Sequence, residues 1–218
     1  MAAARPTSRE IVPDQAELDA LWLSVFTGAA DRVAHGLKNL LNGVAVNLEV
    51  VRMRTARGGE SAAAAATFAS TAATEFERVT EAVEALLALA RPEREPVDVA
   101  TVLGRIAALL GAASDGGRIV VRRVGDGSTV TGAPASAVRA AVASVLQSVL
   151  GEAGEVSCEL DASDGILIRV VGGASRASDA VALVGERAAR HGVQIRRSGP
   201  SIELLFPPIG SLTSGHQS

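Results

Sequence analysis

The first half of the chain repeats apolar residues at spacings of three and four. Ala30, Val33, Leu37, Leu40, Val44, Leu48 and Val51 fall on one stripe, the period of an amphipathic helix. Asp14 and Glu17 precede it in the arrangement of a capping box, in which the first carboxylate accepts backbone N–H bonds and the second reaches back. The pattern predicts a helix from Asp14 to about Arg57, ended by Gly58 and Gly59. A second stripe, Ala65, Phe68, Ala72, Phe76, Val79, Val83, Leu86 and Ala90, predicts a helix from Ser61 to Arg91, stopped by Pro92. Two long helices joined by a short Gly-Gly turn must fold back antiparallel. One hairpin alone leaves much of its stripe open, and pairing two hairpins into a four-helix bundle covers it. A homodimer is therefore expected on physical grounds.

Beyond Pro92 the pattern changes. Residues 92 to 97 form a charged, proline-bounded linker. Helices are then predicted over Asp98–Gly111, Pro134–Leu150 and Ser178–His191. Alternating segments predict strands over Arg118–Val124, Glu155–Asp161 and Gly165–Val171. Ser128–Thr131 is a candidate partner for the first of these, and Val193–Arg197 with Ser201–Phe206 reads as a hairpin around Gly199-Pro200. The fold class is α+β: a long helical hairpin, then a sandwich with helices on one face of a mainly antiparallel sheet. The expected divisions are a flexible N-terminus (1–13), the hairpin (14–92), the α/β sandwich (93–209) and a flexible tail (210–218).

Composition narrows the partners. With one Trp, four Phe and no Tyr, alanine, leucine and valine must build the core. The net charge of −3 supplies no field for nucleic acid or acidic membranes. No apolar run approaches the roughly 20 residues of a membrane span, and Met1–Glu10 has no signal-peptide pattern. The single cysteine, Cys158, lies in a predicted strand and reads as a small core residue. It excludes a disulfide framework and favours a cytoplasmic location. One cysteine and three scattered histidines make no metal site of the usual spacing.

The chemistry concentrates in Ala34-His35-Gly36-Leu37-Lys38-Asn39-Leu40-Leu41-Asn42. His35 lies off the apolar stripe, so its imidazole should face solvent. Lys38, Asn39 and Asn42 follow at three, four and seven residues, on the same face. An exposed imidazole can be neutral near pH 7 and attack phosphorus, and a neighbouring ammonium and amides can steady the transferring oxygens. Taken alone, an exposed histidine on a helix is more often a solvated surface residue.

The stretch resembles the H-box of the sensor histidine kinases, His-Glu-Leu-Lys-Asn-Pro-Leu-Asn, which His35, Leu37, Lys38, Asn39, Leu41 and Asn42 match at six of eight positions. Leu86–Pro92 with Pro96-Val97-Asp98 resembles the exit from that family's dimerisation hairpin. Arg190–Ile195 and Glu203–Pro207 resemble the last helix and hairpin of its ATP-binding domain. The resemblance, over roughly residues 25 to 208, implies that His35 is the phospho-accepting histidine.

The departures point away from ATP. Gly36 replaces the acid that assists the histidine in the family, and Leu40 replaces the helix-bending proline. The helix from Pro134 presents Ser144 and Ser148 where the family has Mg²⁺-binding asparagines. No acid occurs between Asp164 and Asp179, where the family's adenine-binding Asp would stand, and only Ala174–Ala177 remain for the ATP lid. The second half is thus expected to be a degenerate histidine-kinase ATPase domain, with no cofactor of its own.

The layout resembles the dimeric histidine phosphotransferases of sporulation and cell-cycle phosphorelays. That resemblance implies a relay through His35 between the aspartates of response-regulator receiver domains, with Mg²⁺ supplied by the receiver. Lys38, Asn39 and Asn42 would support transfer or docking, and a histidine kinase is a further candidate partner. Alternative readings are an inactive kinase-like scaffold, a receiver phosphatase using Asn39, or an active kinase with an unusual nucleotide site. His191 at a helix end, His216 in the tail, Gly172-Gly173 after a strand and Trp22 near the start of the bundle receive structural readings.

Overall fold

The computed structural model describes residues 13–91, 96–112, 114, 118–150, 154–172 and 179–209, the side chains of 13, 14, 62 and 63 excepted. The expectations for the two termini, for most of the linker and for the lid fall outside them.

Helix α1 spans Pro13–Arg57, α2 Glu60–Ala63 and α3 Ala65–Ala90. α1 begins one residue before Asp14, so Asp14 lies in the first turn and not at the cap. Gly58 and Gly59 take the left-handed φ values of 67° and 62° that the chain reversal requires. The predicted second helix is broken at Ala64, where the chain makes a turn. Antiparallel packing is visible in the cross-helix contacts. Asn47 donates to Glu75 at 3.3 Å, and the Arg54 guanidinium lies 4.8 Å from the centre of the Phe68 ring.

The second half opens with β1 (Val97–Asp98) and α4 (Val99–Ala112). β2 (Arg118–Val124), β3 (Val130–Thr131), α5 (Ala135–Val149), β4 (Glu155–Asp161) and β5 (Ile166–Val171) follow. α6 (Asp179–Ala189), β6 (Gln194–Ser198) and β7 (Ser201–Phe206) complete it. Five strands form one sheet in the order β2-β4-β5-β7-β6. All of its pairs are antiparallel except β2 with β4, which α5 separates in the chain and which therefore run parallel. β3 pairs with β1 and not, as expected, with β2. The Thr129 hydroxyl donates to Asp98 and the Thr131 hydroxyl to the Pro207 carbonyl at 2.6 Å, which holds this short segment away from β2.

Alternate residues of the sheet are buried. Val156, Cys158 and Leu160 on β4, Ile166, Ile168 and Val170 on β5, and Ile202, Leu204 and Phe206 on β7 face the helices. α5 is buried along nearly its whole length. Its outer side is covered by the first half of α1, whose Leu18, Leu21, Ala29 and Val33 join the same core. Each such leucine contributes about 1.5–3 kcal/mol on burial. Gln15 donates to the Ser136 hydroxyl at 3.1 Å and Gln147 to the Val25 carbonyl at 3.4 Å. Trp22 packs here, 5.1 Å from Phe26 and 5.8 Å from the Arg139 guanidinium, and not in a bundle. Arg139 also donates to the Arg91 carbonyl at the end of α3, so one buried side chain joins α5 to both long helices.

Candidate functional site

The predicted single stripes of α1 and α3 each resolve into two. Along α1, Val33, Gly36, Leu40, Gly43, Asn47 and Val50 are buried or half-buried and face α3. Beside them runs a second line with the same alternating spacing, Leu37, Leu41, Val44 and Leu48, of which Leu41 is 47% and Leu48 53% exposed. Along α3, Ala65, Ala72, Val79, Ala82, Ala85 and Leu89 are buried. Phe76, Val83 and Leu87, from a parallel heptad line, are 57%, 38% and 54% exposed. Leu48, Phe76 and Val83, members of the predicted stripes, are thus among the apolar residues that a single hairpin leaves open. Opposite helix directions carry both outer lines to one side of the hairpin.

His35 takes the other side. Steps of about 100° per residue put it roughly 110° from the centre of the α3-facing line, and the Leu41–Leu48 line roughly 120° from that centre in the opposite sense. His35, Lys38, Asn39 and Asn42 are all exposed, and the cross-helix register sets His35 at the level of Val83 to Leu87. The helix thus presents all four predicted residues to solvent on one face. Gly36, by contrast, is buried on the interior line. The His35 face continues toward the hairpin turn through Val46, Glu49 and Met53, by steps of three and four from Asn42. Val46 and Met53 are 63% and 46% exposed. This apolar extension was not read from the sequence, although its helical spacing from His35, in steps of three and four, was the available signal. Arg52 and Glu49 pair at 3.1 Å along its margin.

Two hydroxyls of α5 bond back to the helix's own backbone. Ser144 donates to the Ala141 carbonyl at 3.1 Å and Ser148 to the Val145 carbonyl at 2.7 Å. At Gly172 an added Cβ would stand 3.1 Å from carbons of both Val149 and Val156, so this glycine allows close packing of the strand end on α5. Cys158 is fully buried, and burial pushes its thiol pKa up to about 12, which makes it a core residue and no nucleophile. His191 is half-buried at the end of α6. Among the described residues there is no cluster of three or more potential metal ligands, and no helix is long and apolar enough to cross a membrane.

No protein-family model matches the chain, and no curated protein matches it. Among solved structures it is similar to one described as a 1.7 Å structure of a bacterial phosphotransferase. That chain is 13% identical, with 92% of this chain and 98% of the other covered and a TM-score of 0.45.

Proposed function

We propose that this chain is a dimeric histidine phosphotransferase of the two-component kind, which moves a phosphoryl group between receiver aspartates through His35 and makes no use of ATP. The observation that carries the reading is the placement of His35 on an exposed face of α1, with Lys38, Asn39 and Asn42 beside it, on the side of the hairpin turned away from the open apolar lines.

A second copy is the occupant that fits those lines. Leu37, Leu41, Val44 and Leu48 on α1 and Phe76, Val83 and Leu87 on α3 repeat at the heptad spacing that lets four helices interlock. Residues 14–92 then serve as dimerisation and phospho-acceptor hairpin, and 93–209 as a nucleotide-free scaffold. In the dimer each His35 points outward.

A receiver lands on the His35 face, with Val46 and Met53 as apolar contacts below the histidine. A ring nitrogen of neutral His35 attacks the phosphorus of the receiver's aspartyl phosphate in line. The N–P bond forms as the P–O bond to aspartate breaks, and the carboxylate leaves. The receiver's Mg²⁺ offsets charge on the phosphoryl oxygens, and Lys38, Asn39 and Asn42 are placed to steady them. The reverse reaction on a second receiver completes the relay, in the cytoplasm. The inward hydroxyls of Ser144 and Ser148 support a scaffold role for the second half.

The test is incubation with an acetyl-phosphate-charged receiver and, separately, with ATP and Mg²⁺. Acid-labile label on this chain from the receiver alone supports the relay. Label from ATP overturns the ATP-free part, and release of inorganic phosphate with no label on the chain favours a phosphatase.

A further inference from the structure

The outward face of the five-stranded sheet carries a row of alternating charge. Register places Arg122, Glu159, Arg169, Glu203 and Arg196 side by side on β2, β4, β5, β7 and β6. Arg169 sits between its two acids, 2.9 Å from Glu159 and 3.2 Å from Glu203. The row ends at β2 on a positive charge, and among the described residues β2 is an edge strand that pairs with β4 on one side only. Arg118, four residues before Arg122 and on the same face, stands beside Glu155 in the same way.

Helices α3 and α4 stand beside this edge. A cleft of about 680 Å³ opens between α3, α4 and β2. Its α4 wall is made of glycines and alanines, among them Gly104, Ala108 and Gly111, while Arg78 and Glu81 stand on its α3 side; a Cβ added at either glycine would meet nothing within 4 Å. Ile119 and Val121, the inward residues of β2, line the other side, and Val121 is 40% exposed. A helix wall with small side chains beside an unpaired strand edge has the shape of a layer lacking its last strand.

We propose that β2 and this cleft take up an extended segment of a partner protein as a sixth strand, with acidic residues opposite Arg118 and Arg122 and apolar residues opposite Ile119 and Val121. Backbone pairing to β2 supplies affinity, and the alternating side chains supply selectivity. β4 shows the pattern that satisfies β2 from its other side: Glu155-Val156-Ser157-Cys158-Glu159, acids at the two ends and apolar residues turned inward. A second copy of this chain is a poor occupant, because β2 against β2 brings arginines toward arginines.

The experiment uses the full-length chain and two fluorescent peptides, Glu-Val-Thr-Val-Glu and Lys-Val-Thr-Val-Lys, each with neutral flanks. Binding is read by anisotropy and by hydrogen exchange of residues 118–124. The acidic peptide is expected to bind at least tenfold more tightly and to slow exchange in β2. Arg122→Glu is expected to reverse the preference toward the lysine peptide. Equal binding of both peptides, no protection of β2, or an unchanged preference in Arg122→Glu overturns the proposal. So does a β2-mediated self-association that Arg122→Glu abolishes. His35 takes no part in these readouts, so the result stands apart from the phosphotransfer reading.

Discussion

The Glu75 carboxylate occupies the space that a side chain on Gly43 would need. A Cβ there would lie 2.7 Å from Oε2, and the same oxygen accepts a hydrogen bond from Asn47 at 3.3 Å. Two effects oppose each other in Gly43→Ala. Alanine gains about 0.8–1 kcal/mol of helix propensity, while pushing Glu75 aside loses a hydrogen bond worth about 0.5–1.5 kcal/mol. Urea unfolding is expected to place Gly43→Ala within about 1 kcal/mol of the parent, and the double variant Gly43→Ala/Glu75→Ala above the Glu75→Ala single variant. A loss of more than about 3 kcal/mol in Gly43→Ala would show that Glu75 cannot move.

Asp98 caps α4. Its carboxylate accepts from the Ala100 backbone N–H at 3.2 Å and from the Thr101 hydroxyl at 2.6 Å, and also from Thr129. Burial opposes its ionisation, but these hydrogen bonds outweigh burial and lower its pKa below the ordinary 3.8. A depressed folded pKa means stability that is present above the unfolded value and is lost as pH falls through the folded one. The stability gap between the parent and Asp98→Asn is therefore expected to hold at neutral pH and to narrow below about pH 4. Asp98→Ala, which removes the cap, should cost about 1 kcal/mol at pH 7.

Arg169 separates Glu159 and Glu203 on the open sheet face, where its side chain is 43% exposed. Solvent screening limits such pairs to about 0.2–1 kcal/mol each. Arg169→Ala should lower stability by about 1 kcal/mol in low salt, with less loss at high salt, as chemical denaturation in urea at two ionic strengths would show.

The open apolar line on α3 predicts the assembly state. Phe76→Glu with Val83→Glu places charges in the proposed hairpin-to-hairpin interface while leaving the buried line of Ala72, Val79 and Ala82 intact. Light scattering is expected to give a dimer for the parent and 22.1 kDa, one chain, for the variant, with unchanged helical circular dichroism. A monomeric parent contradicts the bundle.

The elements were legible because their spacing is regular. Periods of three and four delivered α1 and most of α3, and alternation delivered β4, β5 and β7, whose inward residues are apolar without exception. The side of α1 that holds His35 was legible for the same reason: one angular step per residue suffices. What the period could not supply was which apolar residues meet a neighbour. Leu40 and Leu48 look alike in a stripe, yet the first faces α3 and the second is 53% exposed. Nor could local pattern show that the first half of α1 leaves the hairpin and lies on α5, because Gln15 with Ser136 and Gln147 with Val25 join residues more than a hundred positions apart. The β1–β3 pairing was missed because two-residue strands carry no periodicity. The buried Arg139, tied to Arg91, has no signature short of the fold itself.

The central claim is that His35 carries the phosphoryl group. The most direct measurement is rapid-quench labelling of the full-length chain by a ³²P-charged receiver, run for the parent, for His35→Gln and for Asn42→Ala. The account predicts acid-labile, base-stable label on the parent within seconds, none on His35→Gln, and slowed but complete labelling of Asn42→Ala. Label of equal amount on His35→Gln, or label stable to acid, would contradict it.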